Sequence, residues 1–114
     1  MNVSLNSFNS KEATFLTSSA KKGDVVALSG NLSVSPAAAG AVFCGVCTDA
    51  SGGYATVRLY GHCTMPYSGT APAVGYVALA ADGDAGVKTV TSGGRTLLVT
   101  DVDTTAKTVG IILN

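Results

Sequence analysis

The chain has 114 residues, and its seven basic side chains balance seven acidic ones, so the formal net charge at neutral pH is zero. Charged residues make up 12%, about half the share usual in a soluble domain, while apolar residues reach 46%. This length suits one domain, the apolar fraction excludes general disorder, and the charge balance removes the electrostatic case for nucleic acid or an anionic membrane.

Val supplies 14 residues and Thr 13, Glu occurs once, and Gln and Trp are absent. β-Branched side chains suit a pleated surface and the good surface helix formers are scarce, so strands are expected. Residues 1–6 hold no basic stretch ahead of an apolar run, which predicts a protein made in the cytosol without a secretion signal. Three cysteines in such a chain do not suggest a disulfide framework.

Residues 1–20 read as an N-terminal arm, and residues 21–114 as a single β domain. Residues 1–10 are uncharged and rich in Asn and Ser, with Val3, Leu5 and Phe8 spaced among them. They fit either a frayed terminus or an arm that docks elsewhere, because Val3, Leu5, Phe8, Phe15 and Leu16 are costly to leave in water. Short strands are then expected at 25–28, 32–35, 42–48, 54–63, 76–80, 87–91, 96–102 and 108–113. Asp-led turns recur near Asp49, Asp82 and Asp103. Helix is an option only at 36–39 and 10–20. The pattern indicates an all-β fold, a small β-sandwich or barrel of short antiparallel strands.

The loop 49–53 predicts a five-residue hairpin, with Thr48 opposite Tyr54, Cys44 opposite Arg58 and Val42 opposite Tyr60. Alternation then puts Phe43, Gly45, Cys47, Ala55, Val57, Leu59 and Cys63 on a core face. The opposite face carries Thr48, Tyr54, Thr56, Arg58, Tyr60 and His62. Its Tyr54, Arg58, Tyr60 and His62 fit either a protein interface or a half-covered sheet face.

The spacing of chemically capable residues argues against catalysis and against a metal or cofactor. Cys44 and Cys47 have the spacing of a redox motif, but on a strand they point to opposite faces. Cys63 shares a face with Cys47 at roughly 27 Å, so no metal is gripped. His62 and the adjacent Cys63 diverge and cannot form a nucleophile pair. Asp82, Asp84 and Gly86 open like a calcium loop, yet the closing carboxylate position falls on Gly93, and turn chemistry accounts for the carboxylates.

Several segments together resemble a known family. They are Gly23-Asp24-Val25-Val26, Gly45-Val46-Cys47-Thr48-Asp49-Ala50 with the glycine turn after it, and Ala55-Thr56-Val57-Arg58-Leu59-Tyr60-Gly61 with Met65-Pro66. Gly75-Tyr76-Val77-Ala78-Leu79, Gly86-Val87-Lys88-Thr89-Val90 and Val109-Gly110-Ile111-Ile112-Leu113 follow. The pattern is similar to the small head decoration, or capsid cement, proteins of tailed bacteriophages, and it spans residues 23–114. The resemblance implies a β-sandwich or tulip-like barrel with an extended N-terminal arm. It implies a homotrimer on the outer surface of the virion, synthesised in the host cytoplasm, that binds the major capsid protein of the same phage. Val3, Leu5 and Phe8 would anchor the arm. The rival expectations are a module reading host-surface glycans through Tyr54, Tyr60, Tyr67 and Tyr76, and a tail-tube or fibre subunit.

Overall fold

Val25 and Val26 are neighbours on one strand and point to opposite faces, yet both are buried. A strand buried on both faces lies between two layers. In the computed structural model, which describes residues 11–113, those layers are a closed barrel and a second sheet, with no helix among the described residues.

The barrel has five strands. They are β1 (Lys11–Leu16), β2 (Val25–Gly30), β3 (Ser33–Pro36), β4 (Gly45–Ser51) and β5 (Tyr54–Pro66). Their order around the ring is β1-β3-β2-β4-β5, and β5 closes it by pairing antiparallel with β1. The ring's core holds Val26, Val34, Cys47, Ala55 and Val57, with Phe15 and Leu59 packed against them. The second sheet runs β5-β9-β8-β6-β7, adding β6 (Gly75–Ala81), β7 (Val87–Thr89), β8 (Arg95–Asp103) and β9 (Thr108–Leu113). It curls until Tyr67, just past β5, bridges Val87 of β7.

The second core contains Leu79, Val87, Leu97, Val99, Val109, Ile111 and Leu113, and it also takes in Val25 and Phe43 from the barrel side. Val46 packs on this core while Cys47 faces the barrel interior. The β2–β4 wall is therefore the shared partition. Arg95, at the start of β8, fastens the two parts. Its Nη1 donates to the carbonyls of Phe43 and Cys44 at 3.1 and 3.2 Å, and its guanidinium stacks 5.5 Å from the Phe43 ring centroid.

The expected all-β class is found, and four local expectations change. Of the segment expected as an arm, residues 11–16 are barrel strand β1, while Val3, Leu5 and Phe8 lie outside the described residues. The central hairpin turns on Gly52-Gly53 alone, because both glycines have positive φ and such a turn matches the twist of the flanking strands. Tyr54 consequently faces Ser51, and Arg58 faces Val46, with a bulge between Cys47 and Asp49. The bulge absorbs one residue, so Cys47, Ala55 and Val57 keep a common core face in the changed register, while Phe43 and Cys63, expected with them, belong to the second core. Residues 36–39, an option for helix, join the loop that leads to β4, where Gly40 N–H donates to the Ala81 carbonyl and Ala81 N–H to the Ala41 carbonyl. Finally, the strands are neither all short nor all antiparallel: β5 has 13 residues, and β1 meets β3 in parallel at Leu16 and Ser33.

Gly45 marks the tightest approach in the partition. A Cβ there would run into the Arg58 carbonyl and the Val57 side chain, whereas Gly30 has open space around it. Gly45→Ala should lower stability by about 1–3 kcal/mol through overpacking against backbone. Gly30→Ala should stay within about 0.5 kcal/mol, as a surface change does. Denaturant midpoints of the two variants check this.

Candidate protein-interaction face

β5 alternates along its whole length, with Ala55, Val57, Cys63 and Met65 turned inward. The outward row is Tyr54, Thr56, Arg58, Tyr60, His62 and Thr64. Tyr54 and Tyr60 are exposed, at 55% and 38%. Arg58 and His62 are half-buried and used within the molecule. Arg58 Nη1 donates to the His62 carbonyl at 3.0 Å, and its Nη2 lies 3.5 Å from a Glu12 carboxylate oxygen on β1. His62 Nε2 sits 3.3 Å from Thr100 Oγ1 and 3.9 Å from Asp101 Oδ1. The interface expected of Tyr54, Arg58, Tyr60 and His62 as one row therefore divides. The tyrosines are exposed, while Arg58 braces β5 against β1 and His62 braces it against β8.

The structure adds residues that strand-by-strand reading misses. His62 stands opposite Ile112, Ile112 opposite Leu98, and Leu98 opposite Tyr76. Directly opposed residues share a face, so these four form a row across four strands on the outside of the second sheet. Tyr76 is 73% exposed, and Ile112 and Leu98 are half-buried. With Tyr60 beside His62, the row makes an apolar and aromatic strip across the outer surface, with Lys11 opposite Tyr60 and Asp101 against His62 as its charged neighbours. Sequence alternation assigns Leu98 and Ile112 to an outer face only once the pairing order β5-β9-β8-β6 is known.

Other features are structural or small. Leu16 lines a cleft of about 450 Å³ made largely of serines, threonine and glycines, and Leu28 and Leu32 are exposed on the same barrel. Tyr67, expected as an exposed sugar platform, is buried in the second core. The Asp82 carboxylate holds its own turn. Oδ1 accepts from Asp84 and Gly86 N–H at 2.7 and 3.0 Å, and Oδ2 accepts from the Ser68 hydroxyl. Asp103 does the same for Thr105 and Ala106. Among the described residues no group of three or more His, Cys, Asp or Glu side chains could hold a metal ion.

The cysteines are free and separated by the partition. Cys44 and Cys47 both pack on the barrel core, although opposite faces were expected, because Cys44 precedes the regular pleat of β4. Cys63 belongs to the second core. Burial raises all three thiol pKa values, and pushes Cys63 up to about 11 against the lowering effect of Arg58. These are poor thiolates at neutral pH.

Compared with models of known protein families and with curated proteins, the chain matches none.

The raised Cys63 value has a stability consequence. Between pH 9 and about 11 the unfolded chain releases the Cys63 proton while the folded chain keeps it, so stability falls across that window. Relative to Cys63→Ala, the native chain should lose on the order of 2 kcal/mol more between pH 8 and 11. Urea titrations at the two pH values measure the difference.

Proposed function

We propose that this chain is a non-enzymatic structural protein of a virion, a decoration protein that binds the outside of an assembled phage capsid and stabilises the expanded shell. The observation that supports this reading most is the Tyr60–His62–Ile112–Leu98–Tyr76 surface. It is a row of aromatic and aliphatic side chains across four strands, edged by Lys11 and Asp101, on a chain with few charges, and it suits burial against another protein surface. The sequence resemblance supports the same reading and supplies the expected partner, the major capsid protein, and the expected homotrimer. The mechanism is linkage. A protein that binds only the expanded shell stabilises that shell by its binding free energy, multiplied over many sites.

The glycan-reading alternative needs aromatic platforms gathered in a groove. Tyr67 is buried, and Tyr54 and Tyr76 lie on different sheets. No specific observation favours that reading or a tail-tube subunit.

The test mixes the purified chain with expanded and unexpanded shells built from its cognate capsid protein. Co-sedimentation with expanded shells alone, and a higher shell melting temperature, are expected. Tyr60→Ala and Tyr76→Ala should each weaken binding by about 1–3 kcal/mol if their rings are buried at the contact, roughly 5- to 150-fold. Absence of binding to both shell forms would overturn the decoration reading.

A further inference from the structure

β1 and β3 pair at one position. Leu16 stands beside Ser33 in parallel, and its N–H donates to the Leu32 carbonyl. One residue later the chain leaves β3, because the Thr17 N–H donates to the Gly53 carbonyl on the β4–β5 turn. The parting opens a cleft of about 450 Å³ between residues 16–18 and β3. A second cleft, of about 330 Å³, lies between residues 17–21 and residues 50–54. Thr17, Ser18 and Gly53 line both, so the two clefts adjoin.

Hydroxyl groups dominate the walls. Ser33 and Ser35 alternate with the buried Val34, so their side chains stand on the outer face of β3. Ser18 and Ser29 line the same cleft, and Ser51 lines its neighbour. Two of the hydroxyls are engaged. Thr17 Oγ1 accepts from the Ala20 N–H at 3.0 Å, and Ser33 Oγ donates to the Asn31 carbonyl at 3.0 Å. The hydroxyls of Ser18, Ser29, Ser35 and Ser51 have no partner among the described residues. Among the described residues no carboxylate lines either cleft, and Lys21 is the one charged side chain.

An apolar surface adjoins these walls. Leu16 and Tyr54 are directly opposed on β1 and β5, and both are exposed. Leu16 lines the first cleft and Tyr54 the second. Directly opposed side chains share a face, so an aliphatic and an aromatic surface lie together beside the hydroxyls.

This combination selects a class of ligand. A hydroxyl both donates and accepts, so a wall of free hydroxyls satisfies a ligand whose own polar groups do both. It offers little to balance a full charge brought out of water. The exposed ring suits a ligand that also carries an apolar face. A pyranose has both features, with hydroxyls around its rim and C–H groups on its face. We propose that the two clefts bind a short neutral saccharide, with its hydroxyls on Ser18, Ser29 and Ser35 and one ring face on Tyr54. The site uses a single aromatic ring and a hydroxyl wall, so it needs no gathering of the exposed tyrosines. It shares no residue with the Tyr60–Tyr76 row and does not depend on the shell reading.

Amide NMR shifts of the full chain test it, in separate titrations with maltose, cellobiose and chitobiose to about 50 mM, a range that covers millimolar affinity. Glycerol at the same concentration is the control. At least one disaccharide should give saturating shifts at residues 17–21, 29–35 and 51–54, while Val99 and Ile111 stay unmoved. Tyr54→Ala should weaken that binding by at least about 5-fold and Ser35→Ala by a smaller factor, as truncating contact residues does. Unmoved Val99 and Ile111 amides in the variants show that they fold. Absence of saturating shifts with all three disaccharides overturns the proposal. Equal shifts with glycerol overturn it too, since they mark an adventitious additive only. Shifts centred on Tyr76 and Leu98, or affinity unchanged in both variants, would also overturn this site.

Discussion

Thirteen consecutive residues of β5 serve two sheets, and the rest of the molecule is arranged around that constraint. Strict alternation makes it possible. Ala55 and Val57 enter the barrel core, Cys63 and Met65 enter the second core, and the outward row runs unbroken past the change of partners. Gly61, with φ of +123°, sits where β5 passes from its barrel neighbours to β9. That φ is open to glycine and strained for other residues.

Sharing one strand places the two cores end to end along β5, and the β2–β4 wall separates them sideways. The wall has to be apolar on both faces, which is why Val25-Val26 and Val46-Cys47 occur as consecutive apolar pairs. Arg95 then fixes the loop before β4 by hydrogen bonds to main-chain carbonyls, so that Phe43 can plug the second core from the barrel side. Among the described residues, Asp24, Asp82 and Asp103 hold turns, and Arg58 and His62 brace strands. What faces outward on the second sheet is the row of His62, Ile112, Leu98 and Tyr76, flanked by threonines and Asp101.

The division of labour on the outer row of β5 bears on how such faces should be read. Arg and His beside Tyr suggest binding chemistry, but a guanidinium with two internal acceptors at hand is committed before any partner arrives. Arg58 bonds a main-chain carbonyl and a carboxylate, while Tyr54 and Tyr60 keep much of their ring area exposed. Residue type alone does not separate them, and side-chain geometry shows that Arg58 and His62 hold neighbouring strands.

Local chemistry made much of this protein legible from sequence. β-Branched composition dictated strands, period-two alternation dictated which side of β5 is core, and Asp82 and Asp103 announced turns that their carboxylates hold. The two glycines 52 and 53 announced the hairpin, but its length depended on a bulge that alternation alone does not reveal. Residues 11–16 carry no signal of their own as a barrel strand, because β1 gains its partners from residues 33 and 54–60, far away in the chain. The outer row of His62, Ile112, Leu98 and Tyr76 is equally invisible, since its members come from four strands whose neighbours are set by the packing of two sheets on a shared wall. Alternation is local and can be read along the chain. Strand order is decided by which faces must be buried against which, and only the folded structure settles that.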